Sequence, residues 1–255
     1  MLTDMPINRF KHALAAGRTQ IGLWSNMLHP MALEALAGAE PDWILIDCEH
    51  GPGDPNEVLA ALQAMQGASV TAVVRPAWND SVLLKRYLDL GTNAVLIPMV
   101  QSAEEAKAAV AATRYPPDGI RGVATGTRAN RFGRVKDYFK LAASEMCVLV
   151  QVETRPALDR IEEIAAVDGV DGVFIGPSDL AAALGHLGNP AHPDVQAAIQ
   201  AAPKRLGGKP AGILTPVVAD AKRYIEWGYK FVAVGIDLAI LARTSESLVQ
   251  TFKGS

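Results

Sequence analysis

Eight short apolar runs recur along the chain, and helix-period segments of ten or more residues separate most of them. The runs cover residues 20–24, 43–48, 70–74, 94–97, 147–152, 172–175, 210–214 and 231–234. Their hydrophobicity is continuous rather than alternating, as parallel strands covered on both faces require. Helical patterns follow, for example over 54–66, 80–90, 103–113 and 155–166, with Asp80 and Ser102 placed as N-caps. Strict alternation of this kind predicts a parallel α/β sheet, and eight units predict closure into a single (β/α)8 TIM barrel. The 255 residues match the ~250 of one such barrel, so one domain is expected over residues 1–255. An open doubly wound sheet would carry Gly-x-Gly-x-x-Gly after its first strand. That position reads Trp24-Ser25-Asn26-Met27-Leu28-His29 instead.

In such a barrel the active site lies at the C-terminal ends of the strands, so the residues just past each run are the ones to read. The second run ends in Asp47, Glu49 and His50, the third in Arg75-Pro76, the fifth in Gln151-Val152-Glu153, and the sixth in Gly176-Pro177-Ser178-Asp179. Glu153 and Asp179 can point at a common centre and hold a hard divalent cation such as Mg²⁺ or Mn²⁺. Glu153 fits equally an ion pair with Arg155 or Arg160, and Asp179 or Ser178 fits a helix cap. His50 at the mouth suits a general base, or an ordinary loop histidine. Arg75 suits a clamp on a carboxylate or enolate oxygen, or a structural ion pair. The other histidines are scattered, which argues against zinc.

Further features narrow the chemistry. None of the ten lysines sits at a strand's C-terminal end, so a Schiff-base mechanism is not expected. The turns after the last two runs read Leu214-Thr215-Pro216 and Gly235-Ile236-Asp237, without the glycine-rich cup that holds phosphate. A net charge of −3 with no basic stripe excludes a nucleic-acid partner; the nearest candidate is the cluster Arg121, Arg128, Arg131 and Arg134. That cluster lies in a long irregular segment, 115–135, of the length that usually serves as a lid, a binding loop or an interface. No apolar stretch approaches the ~20 residues of a membrane span, and the first residues, with no charged segment ahead of an apolar core, lead us to expect no signal peptide. Cys48 and Cys147 read as buried reduced thiols. A soluble, cytoplasmic protein is expected.

Several stretches in order resemble the class II pyruvate aldolases of the 4-hydroxy-2-oxoheptanedioate and 2-dehydro-3-deoxyglucarate type. They are Asp47-Cys48-Glu49-His50-Gly51, Val74-Arg75-Pro76-Ala77-Trp78-Asn79-Asp80, Leu96-Ile97-Pro98-Met99-Val100, the stretch 115–123, Gln151-Val152-Glu153-Thr154 and Gly176-Pro177-Ser178-Asp179-Leu180. The resemblance implies a carbon–carbon lyase that cleaves 4-hydroxy-2-oxo acids to pyruvate or hydroxypyruvate and an aldehyde through a metal-bound enolate. It implies Mg²⁺, Mn²⁺ or Co²⁺ on Glu153 and Asp179, Arg75 at the enolate, and His50 as base oriented by Asp47. Gln151, Gly176, Pro177 and Ser178 would contact the pyruvate unit, and Trp24 and Leu214 complete the candidate substrate contacts. It also implies a hexamer, a dimer of trimers, with the last helix exchanged between subunits and Asp89 reaching a neighbour's site. For Asp89 a solvated helix end is the plainer alternative. The segment 124–130 departs from the resemblance and bears on the aldehyde accepted. Two rival readings are an acyl-CoA lyase of the citramalyl or malyl type, hinted at only by the arginines of 121–134, and a non-catalytic barrel that binds a 2-oxo acid.

Overall fold

The computed structural model describes residues 4–254. Eight parallel strands, β1 (Gln20–Ser25), β2 (Trp43–Asp47), β3 (Thr71–Arg75), β4 (Ala94–Ile97), β5 (Cys147–Val152), β6 (Gly172–Ile175), β7 (Ala211–Leu214) and β8 (Tyr229–Ile236), pair in sequence order. β8 returns to pair with β1, so the sheet closes into the barrel that the alternation predicts.

Alternate residues of each strand face opposite ways, and here they sort into two cores. Leu45, Val73, Leu96, Leu149, Phe174 and Phe231 pack together inside the barrel. Their neighbours Ile44, Ile46 and Val74, and on the other side Val95, Val148, Val150 and Val173, pack outward under the helices. This double burial is why the strands read as unbroken apolar runs. The helix Arg9–Ala15 closes the N-terminal end, with Phe10 5.7 Å from the Trp43 ring and 6.0 Å edge-on to Phe231. Gly22 and Gly212 make room for those large rings: a Cβ on either would strike Trp43 or Phe231.

The same period of two has a consequence at the other end. Continuing inward from Leu45, Val73 and Leu149 brings Asp47, Arg75 and Gln151 to the top inner layer, with Glu153 beyond.

The predicted caps form, Asp80 accepting from the amides of Val82 and Leu83 at 2.9 Å each, and Ser102 from Glu105 at 3.2 Å. The segment predicted as one helix over 155–166 divides into Arg155–Asp159 and Ile161–Ala165. Arg160 between them leaves the helical region at φ −110°, ψ 18°, and Leu158, Ile161 and Ile164 stay buried on both sides of the break.

The segment 115–135 is not a lid over its own mouth. It follows the helix Ala103–Thr113 and lies at the barrel's N-terminal end, where Arg121 Nη2 pairs with Asp89 at 3.0 Å and Arg128 Nη1 donates to the Leu90 carbonyl at 2.7 Å. Two of the four clustered arginines therefore hold the chain together. Among the described residues no helix is long and apolar enough to cross a membrane. The final helix, Asp237–Lys253, buries only Asp237 and leaves Leu238, Leu241, Leu248 and Phe252 exposed.

Candidate active site at the barrel mouth

A cavity of about 370 Å³ opens at the C-terminal ends of the strands. Trp24, Asp47, His50, Arg75, Gln151, Gly176, Pro177, Ser178, Asp179 and Leu214 line it. Glu153 lies behind Gln151 and Gly176. Asp89 is elsewhere, at the N-terminal end beside a larger hollow of about 790 Å³.

Asp47 organises the mouth. Its Oδ1 accepts from Arg75 Nε at 3.0 Å and from the amides of Glu49 and His50 at 3.1 and 3.2 Å. Its Oδ2 accepts from Arg75 Nη2 at 2.7 Å, Asn26 Nδ2 at 2.8 Å and Trp24 Nε1 at 3.0 Å. Burial by itself would raise the Asp47 pKa, but the hydrogen bonds and charge of Arg75, with Trp24 and the His50 amide, outweigh it and hold the acid below its ordinary value. Asp47 is thus a permanent anion that fixes the guanidinium in a two-point grip. Arg75 lies over the Trp24 ring at 4.8 Å, and its Nη1, which Asp47 does not engage, donates to Gln151 Oε1 at 3.5 Å and pairs with Glu49 Oε2 at 2.9 Å.

Glu153 has the opposite surroundings. It is 2% exposed, accepts the Met99 amide at 2.9 Å on Oε1, and accepts Gln151 Nε2 on Oε2. Met99 holds φ at 53°, which turns its N–H toward this carboxylate. Burial pushes the Glu153 pKa up to about 7; the Met99 and Gln151 hydrogen bonds oppose the rise, and the charges of Asp179 and Glu49 add to it. Arg155 turns instead to Asp159 at 3.4 Å. Asp179 lies in the first turn of the helix Pro177–Ala183, whose N-cap Gly176 receives no side-chain cap. Glu49 Oε2 is buried and accepts no well-aligned hydrogen bond, although the Arg75 Nη1 charge lies 2.9 Å away. Asp47, Glu49, Glu153 and Asp179 therefore stand against Arg75 alone. This all-oxygen donor set with excess negative charge fits a hard divalent cation, with Glu153 and Asp179 as the acids not engaged by Arg75. Gly176 belongs to the same arrangement, since a Cβ there would land on Glu153 Oε2 and within 3.0 Å of Gln151 Nε2.

The His50 ring is not in contact with Asp47, which reaches only its backbone amide. The imidazole stands at the rim, 66% exposed, with Nε2 4.0 Å from Glu49 Oε2. Three residues without an assigned role in the sequence reading belong to the mouth. Asn26 anchors Asp47, Glu49 sets a second carboxylate against Arg75, and Asp237 ties the end of β1 to the last helix. Its oxygens accept from Ser25 Oγ at 2.8 Å and from the amides of Asn26 and Met27 at 2.9 and 3.0 Å. Asn26 and Asp237 lie just past strand ends, so the same rim filter reaches them. No lysine lines the cavity among the described residues.

Fold and mouth together define a (β/α)8 barrel whose strand ends gather carboxylates around one buried arginine. The chain belongs to the HpcH/HpaI aldolase/citrate lyase family, whose model matches residues 20–244. It is 56% identical over 251 residues to a pyruvate aldolase from Rhizobium etli, covering 98% of this chain and 99% of that protein. It is 51% identical over 255 residues to a 5-keto-4-deoxy-D-glucarate aldolase from Escherichia coli, covering 99% and 100%. A solved HpcH/HpaI aldolase/citrate lyase family protein from Burkholderia cenocepacia superposes with a TM-score of 0.94 at 38% identity, covering 97% of this chain and all of that one.

Proposed function

We propose that this protein is a divalent-cation-dependent aldolase that cleaves 4-hydroxy-2-oxo acids to pyruvate, or its hydroxy analogue, and an aldehyde. The observation that carries the reading is Glu153, a buried carboxylate flanked by two further acids and set beside the arginine that Asp47 holds. A cation on Glu153 and Asp179, whether Mg²⁺, Mn²⁺ or Co²⁺, supplies the Lewis acidity that makes an enolate accessible. Asp47 keeps Arg75 aimed, so the Nη1 that it leaves unengaged turns toward the oxygen on which negative charge develops. Gln151, itself held by Glu153, orients the 2-oxo acid with the backbone of Gly176 to Ser178. Trp24 and Leu214 supply apolar wall. His50 takes the proton from the C4 hydroxyl; the C3–C4 bond breaks, its electron pair passes into the enolate, and the aldehyde departs. Protonation at C3 then yields pyruvate. The exposed ring of His50 can exchange its proton with solvent between turnovers.

Two features support a homo-oligomeric reading. The final helix presents an apolar face with Phe252 86% exposed, and we assign it to a second copy of the chain in a homo-oligomer, as in a hexamer of two trimers. Asp89, remote from its own mouth, then serves a neighbour's site. Reduced Cys48 and Cys147 suit a cytoplasmic enzyme.

The test is pyruvate release from a panel of 4-hydroxy-2-oxo acids, read by coupling to lactate dehydrogenase after chelator treatment and again with Mn²⁺ restored. Release that returns with the cation and fails in Glu153→Gln is expected. Pyruvate formation indifferent to chelation, or none from any member of the panel, overturns the reading.

A further inference from the structure

The segment joining the helix Pro177–Ala183 to the helix Pro193–Arg205 gathers two histidines and an acid well outside the cavity at the mouth. The rings of His186 and His192 stack with centroids 3.4 Å apart and planes 15° from parallel. His186 Nε2 lies 3.0 Å and His192 Nδ1 3.6 Å from the same atom, Asp194 Oδ2. One ligating atom from each of the three falls within 4.8 Å of the others, and this is the one such trio of His, Cys, Asp or Glu identified among the described residues.

One divalent ion satisfies both nitrogens and the carboxylate together. The donors decide its class. Two imidazole nitrogens and a single carboxylate suit Zn²⁺, Co²⁺, Ni²⁺ or Cu²⁺ and leave a position for water, whereas Mg²⁺ prefers oxygen throughout. At the mouth the two acids Glu153 and Asp179 offer the reverse, oxygen donors.

The backbone already holds the ligands in place. His186 N donates to the Ala181 carbonyl at 2.7 Å, Asn189 N to His186 at 2.9 Å, and His192 N to Asn189 at 3.1 Å. Gln196 Nε2 fastens the Pro190 carbonyl at 2.8 Å. Little ordering remains to be done on binding. Two terms oppose it. The Asp194 amide caps the helix on His192 Nδ1 through a long 3.3 Å bond that an ion would displace, and the helix N-terminus weakly repels a cation. Both are single weak interactions set against three bonds from nitrogen and oxygen to one ion.

We propose that His186, His192 and Asp194 form a second metal site, selective for a transition-metal ion such as Zn²⁺. An ion there would tie the start of Pro193–Arg205 to the end of the helix that carries Asp179. The test uses untagged full-length protein, stripped by chelator and kept in millimolar Mg²⁺ to fill the mouth. Zn²⁺ binding is followed by calorimetry, in the wild type and in Glu153→Gln. The expected result is one Zn²⁺ that Mg²⁺ does not displace. Its affinity should fall at least about tenfold, the floor seen when even outer partners of a metal are removed, in His186→Ala, His192→Ala and Asp194→Asn. It should persist in Glu153→Gln. Zn²⁺ should also raise the melting temperature of the wild type and not of His186→Ala. Unchanged Zn²⁺ affinity in the histidine variants, or loss of the site in Glu153→Gln instead, overturns the proposal.

Discussion

Glu153→Gln should stabilise the metal-stripped protein at pH 8. Burial, reinforced by Asp179 and Glu49, lifts the Glu153 pKa from 4.5 to about 7 against its two hydrogen bonds. At about 1.4 kcal/mol per tenfold change in acidity, the ionised carboxylate then costs the folded state about 3 kcal/mol. The amide removes that cost but keeps only one of the two bonds. Its oxygen can still accept from Met99, while its NH₂ meets the Gln151 amide donor to donor, a loss of about 1 kcal/mol. The net gain is about 2 kcal/mol, or about 4 °C for a chain of 255 residues. The sign depends on pH. Between 4.5 and about 7 the folded state keeps a proton that the unfolded chain has shed, so wild-type stability falls as pH rises through that window. Near pH 5 the two proteins should melt together. Thermal unfolding followed by circular dichroism in EDTA, at both pH values, is the assay. A variant less stable than wild type at pH 8, or one whose advantage persists unchanged at pH 5, refutes the reasoning. With Mn²⁺ added, the order should invert, because only the wild type binds the ion tightly.

Other outcomes follow from the same geometry. Gly176→Ala is permitted by a backbone at φ −86°, so its effect should be local: Mn²⁺ affinity measured by electron paramagnetic resonance drops at least about tenfold while the circular dichroism spectrum is unchanged. Wild-type affinity would remove Gly176 from the site. Arg75→Met should cost both turnover and about 3–5 kcal/mol of stability, since it strands Asp47 as a buried unpaired charge. Adding Asp47→Leu should return much of the stability and none of the turnover; recovery of both would make Arg75 purely structural. Burial raises the Cys48 thiol to about 12 and Cys147 well above its ordinary value, so neither should react with Ellman's reagent at pH 8 until the protein unfolds. A rapid burst from native protein would contradict their placement.

The strands were legible because each is buried on both faces, so Trp43 to Asp47 or Cys147 to Val152 carries its whole signal locally. The inward step of two from Leu45 to Asp47 and from Leu149 to Gln151 is equally local, and it made the strand-end filter work. Interactions that close across the ring were not legible. Asp237 meets the Asn26 amide across 211 residues, and Arg75 meets Asp47 across 28, so neither partner announces the other. Arg75 therefore read as a choice between an ion pair and a clamp, and it has the geometry of both. The orientation of the His50 ring was also beyond the sequence, because Asp47 spends its oxygens on Arg75, Asn26, Trp24 and backbone amides. Segment 115–135 showed its irregularity but not its end of the barrel, which depends on Arg121 finding Asp89.

The central claim is that this mouth forms the enolate of pyruvate with the help of a divalent cation. It is tested most directly by deuterium exchange into the pyruvate methyl group, followed by proton NMR in D₂O with chelator-treated enzyme and again after Mg²⁺ or Mn²⁺ is restored. Exchange that appears only with the cation, and is lost in Glu153→Gln and Arg75→Met, is the predicted result. Exchange that proceeds at the same rate without the cation or without Glu153 contradicts it.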